Sequence, residues 1–331
     1  MPTRDSSSHD VEELLLLWAA RRSGLLEAIL DTAGTPREAA AEAGVTEEAA
    51  VVVVESLADL GFVRDVVYEQ RSSARQTQSG DGGEYEITNR ALGFLAKRDV
   101  RSIGRLPHAL DLLDCWTALP ETMATGDAPD LPADWTRNRL GAHAATEDAV
   151  VRARVTAAVR ERPDAERVVD LLGASGAYAT EFAARGFETT LVDDDACVDA
   201  VEQMVRHRGV RTVAAEVPEE FGLDDEAFGL AFAADATSAL DPAENRALCA
   251  AAFDALESGG VFVIVDALRD GSPEAVAARM RALGVGRGDA YPEATYREWL
   301  TDAGFADVAC KSVPGDRRTA VVAHRPERAV D

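Results

Sequence analysis

From Val168 onward, short β-branched, apolar runs alternate with helix-forming stretches, and this alternation leaves few folds open. Val168 and Val169, Thr189–Val192, Val210–Ala214, Phe228–Ala233 and Val261–Val265 all read as strands. Apolar runs of this kind are buried on both faces, which requires a parallel sheet with helices packed on each side. The end of the chain adds a helix over Ala294–Ala303, a turn at Gly304-Phe305 and two closing strands. The expected fold class is therefore α/β, a doubly wound, seven-stranded, mostly parallel sheet. Ligands of such sheets bind beyond the carboxyl ends of the strands. Asp170, Asp193, Glu216, Asp235 and Asp266 all fall at or just after predicted strand ends.

The first strand leads into Asp170-Leu171-Leu172-Gly173-Ala174-Ser175-Gly176, and Ala177–Arg185 reads as the helix that follows. A strand, a glycine-containing turn and a helix N-terminus present backbone N–H groups to a ligand, and a missing Cβ permits close approach. An ordinary connection between strand and helix has the same local signature.

The N-terminal part has another character. Val11–Leu30 reads as one apolar helix, with Leu14, Leu15, Trp18, Leu25 and Ile29 at helical spacing. Thr35-Pro36-Arg37-Glu38 carries an N-cap, a proline at the first helical position and a capping box. That helix stops at Gly44; Thr46 caps the next, which stops at Gly61. Phe62–Tyr68 and Glu84–Ile87 read as strands around a Ser/Gln/Gly-rich loop, 71–83, and a helix follows over Thr88–Arg98. Three helices and a two-stranded wing spell a winged helix. Such modules often bind DNA, but the second helix of this one carries Glu47, Glu48, Glu55 and Asp59 and no basic residue before Arg64. A helix that reads base edges presents Arg, Lys, Asn or Gln. Only Arg71 and Arg75, in the wing loop, point the other way. A dimerisation or packing role is preferred, and the apolar stripe of Val11–Leu30 is expected to be buried across a homodimer.

Charge agrees. The formal net charge is -25, from 59 acidic and 34 basic residues, and the only lysines are Lys97 and Lys311. An acidic, lysine-poor chain suits a salt-rich, halophilic cytoplasm, where screening removes self-repulsion. It lacks the clustered cations of a sequence-independent grip on nucleic acid. Cys115, Cys197, Cys249 and Cys310 are scattered, which predicts reduced, mostly buried thiols and neither a zinc site nor a disulfide scaffold. No signal peptide and no membrane-spanning run is read, so a cytoplasmic protein is expected.

The order of these motifs resembles the class I S-adenosylmethionine-dependent methyltransferases, and within them the small-molecule O-methyltransferases with an N-terminal winged-helix dimerisation domain. The resemblance covers nearly the whole chain. It rests on Gly24-Leu25-Leu26, Thr35–Ala40, Leu60-Gly61-Phe62, Trp116–Gly126, Asp170–Gly176, Gly209–Glu216, Ser258-Gly259-Gly260, Glu298-Trp299-Leu300 and Ala303-Gly304-Phe305. It implies three segments: a winged-helix dimerisation domain over 1–98, a helical connector contributing to the substrate pocket over 99–164, and a cofactor-binding domain over 165–331. It also implies roles. Asp170, Gly173, Ala174 and Gly176 would hold the methionine part of S-adenosylmethionine. Asp193, with Asp194 beside it, would accept hydrogen bonds from the ribose hydroxyls. Glu216 and Val217 would flank the adenine, and Ala233, Ala234 and Asp235 would line the pocket. The partners implied are a small-molecule methyl acceptor and a second copy of the chain, with no nucleic acid, membrane or metal.

Two departures from the family pattern stand out. Leu172 and Ala174 replace glycines; a left-handed conformation there would cost Leu about 1–2 kcal/mol. The family's catalytic histidine falls near Ser238, and no histidine lies there. Asp235 could orient the acceptor or serve as base. His143 and His108, in the helical segment expected to roof the pocket, are further candidates. An acceptor phenol benefits from a base, whereas a carboxylate needs none. The reading is thus a methyltransferase acting on a hydroxyl or carboxylate oxygen. Its alternatives are a non-catalytic protein on the same fold and a winged-helix regulator.

Overall fold

The computed structural model describes residues 11–32, 34–66, 83–89, 91, 99–218, 220–270 and 272–328. Arg71, Arg75, Lys97, the N-terminal segment 1–9, nearly all of the wing loop and most of the expected helix over Thr88–Arg98 lie outside them. The chain divides into two compact units, 1–113 and 114–331.

In the first unit the expected single helix over Val11–Leu30 is two helices, Val11–Arg22 and Leu25–Thr32. Gly24 adopts a left-handed φ of 77° between them, and that residue ends the first helix. The Thr35 capping box is formed: the Glu38 N–H donates to Thr35 Oγ1, and the Thr35 N–H donates to Glu38 Oε2. Helix Pro36–Ala43 ends on left-handed Gly44, and Thr46 caps helix Glu47–Asp59. Strands β1 (Val63–Asp65) and β2 (Tyr85–Ile87) pair antiparallel. Leu17, Leu25, Ile29, Val54, Leu57 and Phe62 form the core of this unit. Glu47, Glu48, Glu55 and Asp59 are exposed.

The second unit is built on β3 (Arg167–Leu171), β4 (Glu188–Asp193), β5 (Val210–Ala214), β6 (Phe228–Ala234), β7 (Leu256–Asp266), β8 (Ala306–Ser312) and β9 (Thr319–His324). Their order is β5-β4-β3-β6-β7-β9-β8. Neighbours from β5 through to β7 are parallel, and β9 runs antiparallel to both β7 and β8. Strand periodicity divides the apolar side chains between two layers. Val169, Leu171, Ala231, Ala233, Phe262 and Ile264 face helices Pro242–Ala255 and Glu293–Asp302 through Leu248, Ala252, Trp299 and Leu300. Val168, Leu230, Phe232, Val261, Val263 and Val265 face helices Asp148–Glu161 and Ala177–Ala184 through Val151, Val155, Tyr178 and Phe182. Each fully buried Val, Leu, Ile or Phe among them contributes about 1.5–3 kcal/mol.

This topology fixes where a site can form. The chain leaves β3 toward β4 and β5, then returns to the other side of β3 for β6 and β7. The switch point lies between β3 and β6, and the crevice beyond their carboxyl ends is the ligand position of such sheets. The register pairs Leu171 with Val192, which brings Asp193 level with the turn that follows β3.

Candidate functional site

The turn after β3 keeps a glycine-like backbone without all of the glycines. Leu172 has φ 55° and Ala174 φ 48°, both left-handed, as is Gly176 at 73°. At Gly173 a Cβ would lie 2.7 Å from Asp170 Oδ2 and 2.9 Å from the Leu191 side chain. At Gly176 it would lie 2.5 Å from Val205. Glycine therefore remains where a side chain has no room, and Leu and Ala stand where there is room at a cost in strain. Leu172 uses its side chain to pack on the core.

Two buried carboxylates hold the turn. Asp170 accepts from the Ala179 N–H at 3.0 Å, near the start of helix Ala177–Ala184, and its Oδ1 is buried without a partner. Burial pushes the Asp170 carboxyl up to about 8, against the Ala179 bond and with help from the charge of Asp193. Asp193 accepts from the Ala174 N–H at 2.8 Å and the Asp194 N–H at 2.9 Å. Burial raises its pKa as well, opposed first by Arg139. Asp194 caps helix Asp195–Arg206 by accepting from the Cys197 N–H. The Ala215 N–H donates to the Asp193 carbonyl, which places exposed Glu216 and half-buried Val217 beside the end of β4.

Helix Trp135–Ala144 lies over this turn. His143 Nδ1 and Ser175 Oγ share a hydrogen bond of 2.7 Å, and Arg139 Nη2 donates to Cys197 Sγ at 3.2 Å. Burial drives the His143 pKa down to about 4; Arg139, Arg154 and Arg318 push the same way and Asp235 opposes them. The imidazole is neutral at pH 7. Asp193, Asp194 and Cys197 place ligand atoms within 4.8 Å of one another, but the Arg139 guanidinium among them repels a cation.

Beyond β6, buried Ala233 and Ala234 lead to half-buried Asp235, itself left-handed at φ 56°. Arg154, 1% exposed, donates from Nη1 to Asp235 Oδ2 at 2.5 Å and to the Tyr178 hydroxyl at 2.5 Å, and from Nε to Asp316. Arg318 pairs with the other oxygen of Asp235. Burial alone would raise the Asp235 pKa, but Arg318 and Arg154 outweigh it and hold the carboxyl below its usual range. Ser238 donates its N–H to Asp266 Oδ2, which also accepts from Thr237 Oγ1. Asp266 Oδ1 accepts from the Ala267 N–H. Asp266 thus ties down the short turn Thr237–Ala239.

The structure brings Asp170, Gly173, Ala174, Gly176, Asp193, Asp194 and His143 together, with Asp235 beside His143 through the Arg154 network. Ser238 is held by Asp266 instead. Arg139, Arg154, Ser175, Tyr178, Cys197 and Arg318 belong to the same constellation and were not singled out from the sequence. Arg154 had a signal: it interrupts the apolar face Val151, Val155, Ala158 of its helix.

Solved structures with this architecture are similar over almost the whole chain. Human N-acetylserotonin methyltransferase aligns over 98% of this chain and 100% of its own, with TM-score 0.58 and 18% identity. An O-methyltransferase family protein from Burkholderia thailandensis aligns over 97% and 99%, with TM-score 0.60 and 19% identity. Mitomycin 7-O-methyltransferase aligns over 94% of each chain, with TM-score 0.62 and 13% identity. The chain has the O-methyltransferase fold. No protein-family model matches the sequence, and no curated protein matches it. In the methyltransferase fold seen here, the turn after β3, the end of β4 and the end of β6 meet at one edge of the sheet. No helix among the described residues is long and apolar enough to cross a membrane. Among the described residues no disulfide is formed, and Cys115, Cys197 and Cys249 are buried.

Proposed function

We propose that the chain binds S-adenosylmethionine at the carboxyl edge of the sheet and transfers its methyl group to an oxygen of a small molecule. The observation that carries this is the turn itself: Leu172 and Ala174 hold the left-handed backbone at a cost in strain. The human methyltransferase of the same fold was solved with S-adenosylmethionine.

The residues present fit that cofactor. A carboxylate can accept about four hydrogen bonds, and Asp193 accepts two from the backbone. Its raised pKa marks a buried carboxylate short of donors, which two ribose hydroxyls would supply. Asp170 Oδ1 is a further buried polar atom without a partner behind the turn. When bound, S-adenosylmethionine supplies an electrophilic methyl group on a cationic sulfur, and its leaving group is neutral. The chain then has to align the acceptor and, where the acceptor is a weak acid, remove a proton.

Asp235, His143 and Ser238 do not suit that second task. Asp235 is held ionised by two arginines. His143 gains a proton only near pH 4, and Ser238 is a hydroxyl. The reading that fits is an acceptor that arrives ionised, a carboxylate in preference to a phenol. The test is methyl transfer from labelled S-adenosylmethionine to matched carboxylates and phenols between pH 6 and 9. Carboxylates should react at a rate nearly independent of pH. Phenol-only activity that rises with pH would overturn the carboxylate assignment.

A non-catalytic protein on the same fold is the second reading, favoured by the same lack of a base; binding without turnover on that panel would select it. For the N-terminal unit we propose homodimerisation through helix Val11–Arg22. Val11 and Leu15, one turn apart, are 68% and 42% exposed, and the acidic face of helix Glu47–Asp59 repels phosphate.

A further inference from the structure

We infer that helix Trp135–Ala144 is a lid over the turn after β3, latched by Arg139 and His143, which must lift before a ligand can reach Asp193. Beneath it the groups that would meet a ligand are closed off: Ala174 is 4% exposed, Ser175 1% and Asp193 3%. The two latch residues stand four apart, on one face of the helix, and each grips a different segment. His143 holds Ser175 of the turn and Arg139 holds Cys197 of helix Asp195–Arg206. Leu140, between them in sequence, is fully buried.

Both latches are of the kind that releases. A thiol sulfur is a weak acceptor for a guanidinium, and the other latch is a single bond between neutral groups. The segments on either side can take up the movement. Residues 126–134 are largely exposed and irregular, with left-handed Gly126 at one end and Pro129 and Pro132 within. A short connection, 145–147, follows the helix. The lid rests on geometry alone; the nature of its ligand rests on the cofactor reading above.

Cys197 reports the lid, because it is buried beneath Arg139 with 0% exposure. Cys249, 1% exposed in the core under β6, reports global unfolding. The experiment is alkylation of the whole native chain by N-ethylmaleimide, followed at each cysteine by peptide mass spectrometry. Arg139→Ala and His143→Ala should each speed Cys197 labelling roughly fivefold and leave Cys249 unchanged, since one net hydrogen bond is worth about that factor. Arg139 lowers the Cys197 pKa, so its loss by itself would slow the chemistry; because Arg139→Ala also removes the group covering Cys197, acceleration in His143→Ala, which keeps that cover, is what reads opening. Ser175→Ala breaks the same latch from the other side and should reproduce His143→Ala. Equal acceleration at Cys197 and Cys249, or none at Cys197 in Arg139→Ala/His143→Ala, would overturn the lid. Saturating S-adenosylmethionine should slow Cys197 labelling in the wild type. If the variants respond but S-adenosylmethionine has no effect, the lid stands and the cofactor reading falls.

Discussion

Asp170→Asn should stabilise the protein at neutral pH, and by an amount that grows with pH. The Asp170 carboxyl titrates near 3.8 in the unfolded chain and near 8 in the fold, because burial disfavours its charge. A group whose folded pKa is raised contributes its full stability below the unfolded value and loses it as pH climbs to the folded value. The loss is about 1.4 kcal/mol per pH unit. The wild type therefore gives up about 4 kcal/mol between pH 4 and pH 7, and about 1 kcal/mol more by pH 8. Asn has the same shape, still accepts from the Ala179 N–H, and carries no charge. Its cost is amide donors at the position of Oδ1, which has no partner, about 1–3 kcal/mol at every pH. The difference between the proteins should thus disfavour Asn by about 1–3 kcal/mol at pH 4 and favour it by about 2–4 kcal/mol at pH 8. Urea unfolding followed by circular dichroism at pH 5, 6, 7 and 8 measures it. A difference that does not change with pH would refute the assignment of a neutral, buried Asp170.

Other residues make separate predictions. Arg154→Ala leaves Asp235 and Asp316 without their buried partner and should cost about 3–5 kcal/mol, read as a lowered urea midpoint. The His143 ring resonances should not shift between pH 5 and 8 by NMR, because its pKa lies near 4. The unfolded chain takes up that proton near 6.5, so His143 should also cost stability as pH falls from there toward 4. Leu172→Gly relieves about 1–2 kcal/mol of left-handed strain. It forfeits about 1 kcal/mol of half-buried packing and about 0.5–1 kcal/mol in chain freedom, so thermal unfolding should move little.

The sheet was legible because a buried parallel strand leaves a plain trace. Val210–Ala214 was placed to the residue, and Thr189–Val192 falls short of β4 by one residue at each end. The capping box at Thr35 was equally plain, since its groups lie within four residues of one another. The break in Val11–Leu30 was hidden because apolar spacing continues across Gly24 while the backbone does not. Helix Trp135–Ala144 left almost no trace: Thr136, Arg137, Asn138 and Arg139 interrupt any apolar period between Trp135 and Leu140. The pairing of Arg154 with Asp235 and Asp316 joins residues 81 and 162 positions apart, which local pattern cannot reveal. Asp266, one of the acidic residues read at the strand ends, turned inward because Thr237, Ser238 and Ala267 offer it three donors.

Calorimetric titration of S-adenosylmethionine into the wild-type chain decides whether Asp193 and the turn beneath the lid form a cofactor site. Saturable binding of one molecule per chain is expected. Asp193→Ala should weaken it at least ~10-fold, because charge-assisted bonds to two hydroxyls are worth about 1.5–3 kcal/mol each before competition with water. Asp193→Ala/Asp194→Ala should show any substitution by the neighbouring carboxylate. No heat of binding at millimolar S-adenosylmethionine, or an affinity that Asp193→Ala leaves unchanged, would contradict it.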